Sequence, residues 1–192
     1  MNKTRLEAFS DAVIAIIMTI MVLELKIPQG ADLEALRPLL PVLLAYVLSF
    51  IYLGIYWNNH HHMLQAIRTV NGKVLWANLH LLFWLSLIPF ATGWMGENHF
   101  APLPTALYGM VLLFAGVSYT ILQNKLIHHT KGDNATLGEA VGNDLKGKLS
   151  IVAYLLAIPL AFVHENISHA IYALVAIMWF LPDRRIERAI NT

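Results

Sequence analysis

Residues 9–27 read Phe-Ser-Asp-Ala-Val-Ile-Ala-Ile-Ile-Met-Thr-Ile-Met-Val-Leu-Glu-Leu-Lys-Ile, and this stretch decides the fold. A helix that crosses a bilayer needs about 20 mostly apolar residues, and this run has that length. It is also the most polar such run in the chain, because Asp11, Thr19, Glu24 and Lys26 interrupt it. Turning about 100° per residue from Ile16 places Phe9, Ala12, Ile20, Leu23 and Ile27 within roughly 40° of it, and Thr19 about 60° away. Asp11 falls on roughly the opposite side. One face is therefore a stripe of bulky aliphatic residues carrying a single hydroxyl, and a different face carries the carboxylate. From pattern alone the stripe faces lipid, a neighbouring helix or an axis of symmetry. Rings of isoleucine or leucine round a narrow axis form a constriction that gates by dewetting.

Working outward, five more apolar segments follow, at about 39–57, 74–94, 104–122, 149–163 and 167–181. The third has Asn78, His80, Ser86 and Pro89 inside it, with Pro89 near its end. The last two are short. A 15-residue helix is only about 22 Å long, so they must borrow flanking residues, tilt little or sit where the bilayer thins. The first stretch has Asp11 at its entry and no small-x-small cleavage site, and reads as a retained first span rather than a signal peptide. The reading is an all-α integral membrane protein of six transmembrane helices, with residues 1–192 as a single domain.

Composition agrees. Of the 192 residues, 57% are hydrophobic and 13% charged, where a soluble domain carries about 25% charge. A net charge of +1 gives no bulk attraction to nucleic acid. Cysteine is absent, which removes disulfides, thiolate zinc sites and cysteine nucleophiles. The sequence holds no P-loop, no HExxH and no nucleophile elbow, so no enzyme and no cofactor are expected.

The loops set orientation. On one side of six spans lie the N-terminus, the loops after spans two and four, and the C-terminus, with 11 of the 13 lysines and arginines. The other side holds Lys26 and Arg37. Positive charge stays in the cytoplasm, so both termini are expected there. The loop at about 123–148, rich in glycine and asparagine, reads as a cytoplasmic hinge.

A carboxylate within a span costs up to about 3 kcal/mol at the helix centre and needs a partner. For Asp11 the candidates are Ser10, Asn58, His60, Asn78 and His80, and Arg5 is too far round the helix to pair on the same strand of chain. Thr19 has the ordinary alternative of donating to the Ala15 carbonyl. His60, His61 and His62 point about 100° apart in a helix, so a zinc site would need His80, His128 or His129 brought close. The simpler expectation is that one histidine joins the Asp11 and Arg5 network. His164 and His169 fall on the outer side, where histidine can tune gating by pH.

Arg5, Phe9, Ser10 and Asp11, in the pattern Arg-x-x-x-Phe-Ser-Asp at the start of span one, resemble the signature of the transmembrane-protein-175 family, the endolysosomal and prokaryotic potassium channels. The Trp57-Asn58-Asn59-His60 cluster closing span two extends the resemblance. It implies that span one lines a pore narrowest at Ile16, five residues after the motif aspartate, with further hydrophobic layers at Ile20 and Leu23. It implies a role for Thr19 in potassium selectivity, and a structural network of Arg5, Phe9, Ser10, Asp11, Trp57, Asn58 and His60. One repeat per chain implies a homotetramer, since a fourfold pore needs four copies of span one. It also implies potassium ions and the lipid bilayer as partners, and a prokaryotic plasma membrane as location. The Thr-Val-Gly-Tyr-Gly filter of ordinary potassium channels is absent from the sequence. Two other readings stand beside the channel: a small proton-coupled transporter using Asp11 and nearby histidines as a relay, and an assembly subunit that passes nothing.

Overall fold

The structure, a computed structural model, describes residues 3–67, 69–129 and 144–180. Within those residues the chain is helical. Helix α1 spans Lys3–Leu23 and contains neither glycine nor proline. It ends in a tightening turn, where the Glu24 and Leu25 amides donate to Met21 and Val22, short of Pro28. A 3₁₀ turn, Glu34–Leu39, leads into α2, Leu40–Gln65. Pro41 sits in the first turn of α2, where a missing N–H costs nothing. Asn71 caps α3, Gly72–Ser86, by accepting from the Val74 amide at 3.0 Å.

The expected third span is broken. At Leu87 the chain leaves α3 and enters α4, Ile88–Glu97. Pro89 is the cause, because it has no N–H for the Leu85 carbonyl and its ring crowds the preceding turn. Leu87 instead donates to Trp84 three residues back. Pro89 therefore interrupts the apolar stretch Gly72–Glu97 about two-thirds of the way along it. Helix α5 spans Pro102–His129, α6 spans Leu145–Leu160 with Asp144 capping Gly147, and α7 spans Glu165–Phe180.

Among the described residues, four stretches are long and apolar enough to cross a membrane: Lys3–Leu23, Glu34–Gln65, Gly72–Glu97 and Pro102–His129. Helices α6 and α7 have 16 residues each, or about 24 Å. The long helices extend past the expected borders, α2 by two turns to Gln65 and α5 to His129. Arg68, Lys131, Arg184, Arg185, Arg188, most of the expected hinge and Leu181 lie outside the described residues.

Helix α5 is the hub, packed against α3, α4, α6 and α7. A polar seam fastens it. Ser49 of α2 meets Thr92 at 2.7 Å and Tyr108 at 3.0 Å, Tyr52 donates to the Tyr172 carbonyl at 2.6 Å, and Tyr172 donates to the Thr105 carbonyl at 3.1 Å. The Tyr172 hydroxyl rests on Gly109, where a Cβ would collide with it. In hydrocarbon such hydroxyls have no water to turn to, so they bond across helices.

Contacts at the helix ends give the directions. Lys3 donates to the Leu64 and Gln65 carbonyls, and Thr69 and Asn71 meet His129, so the start of α1 and the ends of α2 and α5 share one end of the bundle. Lys26 pairs with Glu97 at 2.6 Å, joining the far end of α1 to the far end of α4. Successive long stretches therefore run in alternating directions.

Candidate functional site

Helix α1 packs one side against α2, α3 and α4, burying Leu6, Ser10, Ile14, Ile17 and Met21. The opposite side is bare. Phe9 is 50% exposed, Ile16 56%, Ile20 43% and Leu23 79%, with Arg5, Ala12 and Thr19 exposed along the same stripe. Arg5 lies within about 20° of Ile16 at 100° per residue, so the stripe opens on a cation. The Arg5 guanidinium makes no ion pair with any described residue. The Thr19 hydroxyl donates to the Ile16 carbonyl at 2.9 Å, not to Ala15. Its proton is thereby committed, which leaves the exposed oxygen only an accepting role. An open groove of about 600 Å³ runs beside this stripe, between α1 and α4, lined by Ile16, Ile20, Glu24, Pro89 and Gly93 among others.

Behind the stripe, the polar residues form two separate devices. In the first, Asn78 of α3 stands between two helices. Its amide nitrogen donates to Ser10 Oγ of α1 at 2.9 Å, and its oxygen lies 2.7 Å from His60 Nε2 of α2. The oxygen can only accept, so His60 carries its proton on Nε2. Ser10 passes its own proton to the Leu6 carbonyl at 2.8 Å. Ser10, His60 and Asn78 are all fully buried. In the second, the Trp57 indole donates to Asp11 Oδ1 at 3.1 Å, and Trp57 stacks on His61 with centroids 6.0 Å apart. His61 Nδ1 lies 3.3 Å from Glu7 Oε1, one turn before Asp11.

The Asp11 partner is thus Trp57, and none of Ser10, Asn58, His60, Asn78 or His80 fills that role. A half-exposed carboxylate on the flank of α1 is within reach of the long indole of a neighbouring helix, whereas Ser10 and Asn78 face the interior and are used by one another. Within one subunit Phe9 and Arg5 lie on the bare stripe, and Asn58 is exposed on the outer face of α2. His80 accepts from the Trp84 indole and bonds Ser118. No group of three or more histidine, aspartate or glutamate side chains is placed to hold a metal among the described residues. Sequence reasoning missed the pairing of Glu7 with His61 and the bridging position of Asn78. The signal for the second was present: an amide inside an apolar span must be satisfied by other helices.

At the far end, Lys26 is held above its ordinary range by its hydrogen bond to Glu97 and then by the charge of that carboxylate. Glu24 lies over Gly93.

Apolar spans that alternate in direction, held by polar clasps and leaving one bare stripe on the first helix, define an integral membrane protein. The family model described as endosomal/lysosomal potassium channel TMEM175 matches residues 5–89. A potassium channel of Chryseobacterium sp. (strain P1-3) is 54% identical over 191 residues, covering 100% of this chain and 99% of that protein. A potassium channel of Streptomyces collinus (strain DSM 40733 / Tue 365) is 28% identical over 190 residues, covering 93% and 92%. Among solved structures, the crystal structure of a lysosomal potassium-selective channel TMEM175 homolog from Chamaesiphon minutus superposes with a TM-score of 0.79 at 27% identity, covering 94% of this chain and 97% of that one. The chain belongs to the TMEM175 family, a family of ion channels and not of enzymes.

The Asn78 bridge predicts a stability effect. Asn78→Ala removes both hydrogen bonds, which leaves His60 Nε2 buried without a partner and Ser10 with its bond to Leu6 alone, at a cost of about 1–3 kcal/mol. Thermal unfolding of the purified protein in detergent is expected to shift to lower temperature. An unchanged midpoint would mean that the bridge contributes nothing to holding the three helices.

Proposed function

We propose that the chain is a potassium-selective channel that conducts passively, with four copies arranged so that their α1 helices surround the pore. The observation that carries this reading is the bare stripe of α1, flanked on its other side by a packed core. A stripe facing lipid has no reason to begin with Arg5, which makes no ion pair with a described residue, or to include Thr19, since polar groups on a lipid face are costly. Round an axis, the same residues meet ions and water at the ends and close on one another in the middle. The potassium-channel relatives, matched along nearly the whole chain, support the same reading.

In this arrangement Ile16, Ile20 and Leu23 form successive apolar rings, and the pore passes ions only when the rings part far enough to wet. Thr19, one turn beyond Ile16, offers an oxygen whose proton is already committed, which suits a cation. Arg5, Phe9, Ser10, Asp11, Trp57, Asn58 and His60 form the supporting set round it, with Arg5, Phe9 and Asn58 available to a neighbouring subunit. Six crossings, with α6 and α7 as the short last pair, and both termini in the cytoplasm complete the arrangement. The distribution of lysine and arginine supports that orientation, and a bacterial plasma membrane is the setting. The alternative transporter relay needs Asp11 bonded to a histidine. Asp11 is instead on Trp57, and His60 is on Asn78.

Replacing Ile16 by Asn is expected to raise potassium flux into liposomes several-fold, because an amide ring wets where isoleucine does not. Flux equal to wild type would remove Ile16 from the constriction. Thr19→Ala is expected to lower the ratio of potassium to sodium permeability, read from reversal potentials under bi-ionic conditions, and an unchanged ratio would exclude Thr19 from selectivity. The chain has no cysteine, so Leu23→Cys introduces the sole thiol. Under mild oxidation it is expected to give disulfide-linked dimers in membranes, whereas the buried position Ile14→Cys is not. Absence of cross-linking at Leu23 would count against α1 at the axis.

A further inference from the structure

Helices α2, α5, α6 and α7 meet round a cavity of about 30 Å³. Aromatic rings make most of its wall, and the polar groups among them can be followed one at a time. The Tyr52 hydroxyl donates to the Tyr172 carbonyl at 2.6 Å, and the Tyr154 hydroxyl donates to the Tyr52 oxygen at 3.3 Å. The Trp179 indole donates to Ser150 at 2.8 Å, and Ser150 donates to the Lys146 carbonyl at 2.8 Å. Thr120 donates to the Gly116 carbonyl at 3.0 Å, and the Asn59 amide nitrogen to the Ile55 carbonyl at 2.8 Å. Two donors remain. The hydroxyls of Tyr56 on α2 and Tyr119 on α5 have no hydrogen-bond partner among the described residues. Tyr119 is only 7% exposed, and the two rings meet edge-on with centroids 6.1 Å apart. A buried donor left unbonded loses its hydration and gains nothing in return.

We propose that this cavity is a binding site for a pair of water molecules, which take the protons of Tyr56 and Tyr119 and so join α2 to α5. The size fits. A buried water needs roughly 10–15 Å³ of such space, so the cavity holds about two. The hydrogen bonds also close, at about three for each water. Each accepts from one tyrosine, shares a bond with the other water, and donates to an oxygen of the wall. Thr120 Oγ1 and Asn59 Oδ1 belong to side chains lining the same cavity whose donors are already spent on carbonyls, and both oxygens accept. Gly116 keeps the space open, since a Cβ there would stand 3.8 Å from the Tyr56 hydroxyl oxygen and 3.9 Å from the Tyr154 ring. An acyl chain or a free aromatic ring is too large for this volume, and neither accepts a proton from two hydroxyls.

The site also fills a gap in the architecture. Among the described residues α2 and α5 share one direct hydrogen bond, from Ser49 to Tyr108. The waters add a second tie about two turns further along α2, and rings of α6 and α7 cover it. The proposal concerns how the bundle is held and does not depend on what the chain conducts.

The test compares thermal unfolding of the purified full chain in detergent with that of Tyr56→Phe, Tyr119→Phe and the double variant. Each single change removes one oxygen and keeps the ring. With water bridging the hydroxyls, each single variant is expected to unfold about 2–4 °C lower. The double variant is expected to fall by less than the sum of the two, because both hydroxyls act through one water pair. Midpoints unchanged or raised in both single variants would overturn the site, since deleting an unbonded buried hydroxyl removes a penalty. Strictly additive losses would overturn the shared pair. In parallel, solid-state NMR of tyrosine-labelled protein in bilayers follows magnetisation passed from water to the rings, with Tyr56 and Tyr119 assigned by the signals lost in the phenylalanine variants. Transfer to both rings is expected in wild type, and weaker transfer to Tyr119 in Tyr56→Phe. Absence of transfer to either ring in wild type would overturn the proposal whatever the midpoints do.

Discussion

The amide of Asn78 lies where three helices meet, and its two ends are spoken for by Ser10 and His60. All three side chains are fully buried, so each of these groups costs several kcal/mol unless the other helices supply its partner. An apolar contact tolerates rotation of a helix about its axis, whereas a hydrogen bond between two short side chains does not. The bridge therefore fixes which way α1 faces. With Ser10 turned inward toward α3, residues 16, 20 and 23 are turned outward by the period of the helix alone. The bare stripe is in this sense a consequence of the buried bridge.

The same constraint explains why two kinds of polar residue sit on α1 at nearly adjacent positions. Ser10 and Asp11 differ by about 100° round the helix. The small hydroxyl goes to the tight interior, where it passes its proton to Leu6 and accepts from Asn78. The charged carboxylate falls on a face that stays half-exposed, where a long indole from α2 can reach it and the cost of burial is lower. Exchanging the two would bury a charge and waste a small side chain at the rim.

That the chain is an apolar helical membrane protein was legible in the sequence because hydropathy is a one-dimensional signal, and the division of α1 into an aliphatic face and a carboxylate face followed from helical period. The break at Leu87 was harder to read. Pro89 was visible, but whether a proline ends a span or kinks it depends on which helices lie alongside to take up the freed carbonyl. The Asp11 partner was misassigned because the candidates were hydroxyl, amide and imidazole side chains, and an indole N–H on a largely apolar side chain is easily passed over as a donor. The ion pair of Lys26 with Glu97 joins residues far apart in the chain, and nothing in local pattern links them. Helix borders moved by as much as two turns, since helices continue past the hydrocarbon while hydropathy windows stop with it.

The break at Leu87 has a mechanical consequence for α1. It redirects α4 so that Gly96 meets Val42 of α2, and Gly93 lies beneath Glu24 at the end of α1. With Lys26 on Glu97, the far end of α1 is tied to α4 by charge and close approach, as its near end is tied to α2 and α3 by the bridge and by the contacts of Glu7 and Asp11. Between these ties lie Ile14, Ile17 and Met21, which touch the bundle through apolar surface alone. Apolar contact is non-directional, and sliding it a short way costs far less than breaking a buried hydrogen bond. A helix held by buried directional bonds near its start, and further along by apolar contact and one exposed ion pair, meets least resistance to movement in its middle and beyond. That middle is where Ile16 and Ile20 sit, so the movement the proposed constriction requires is the one this packing resists least.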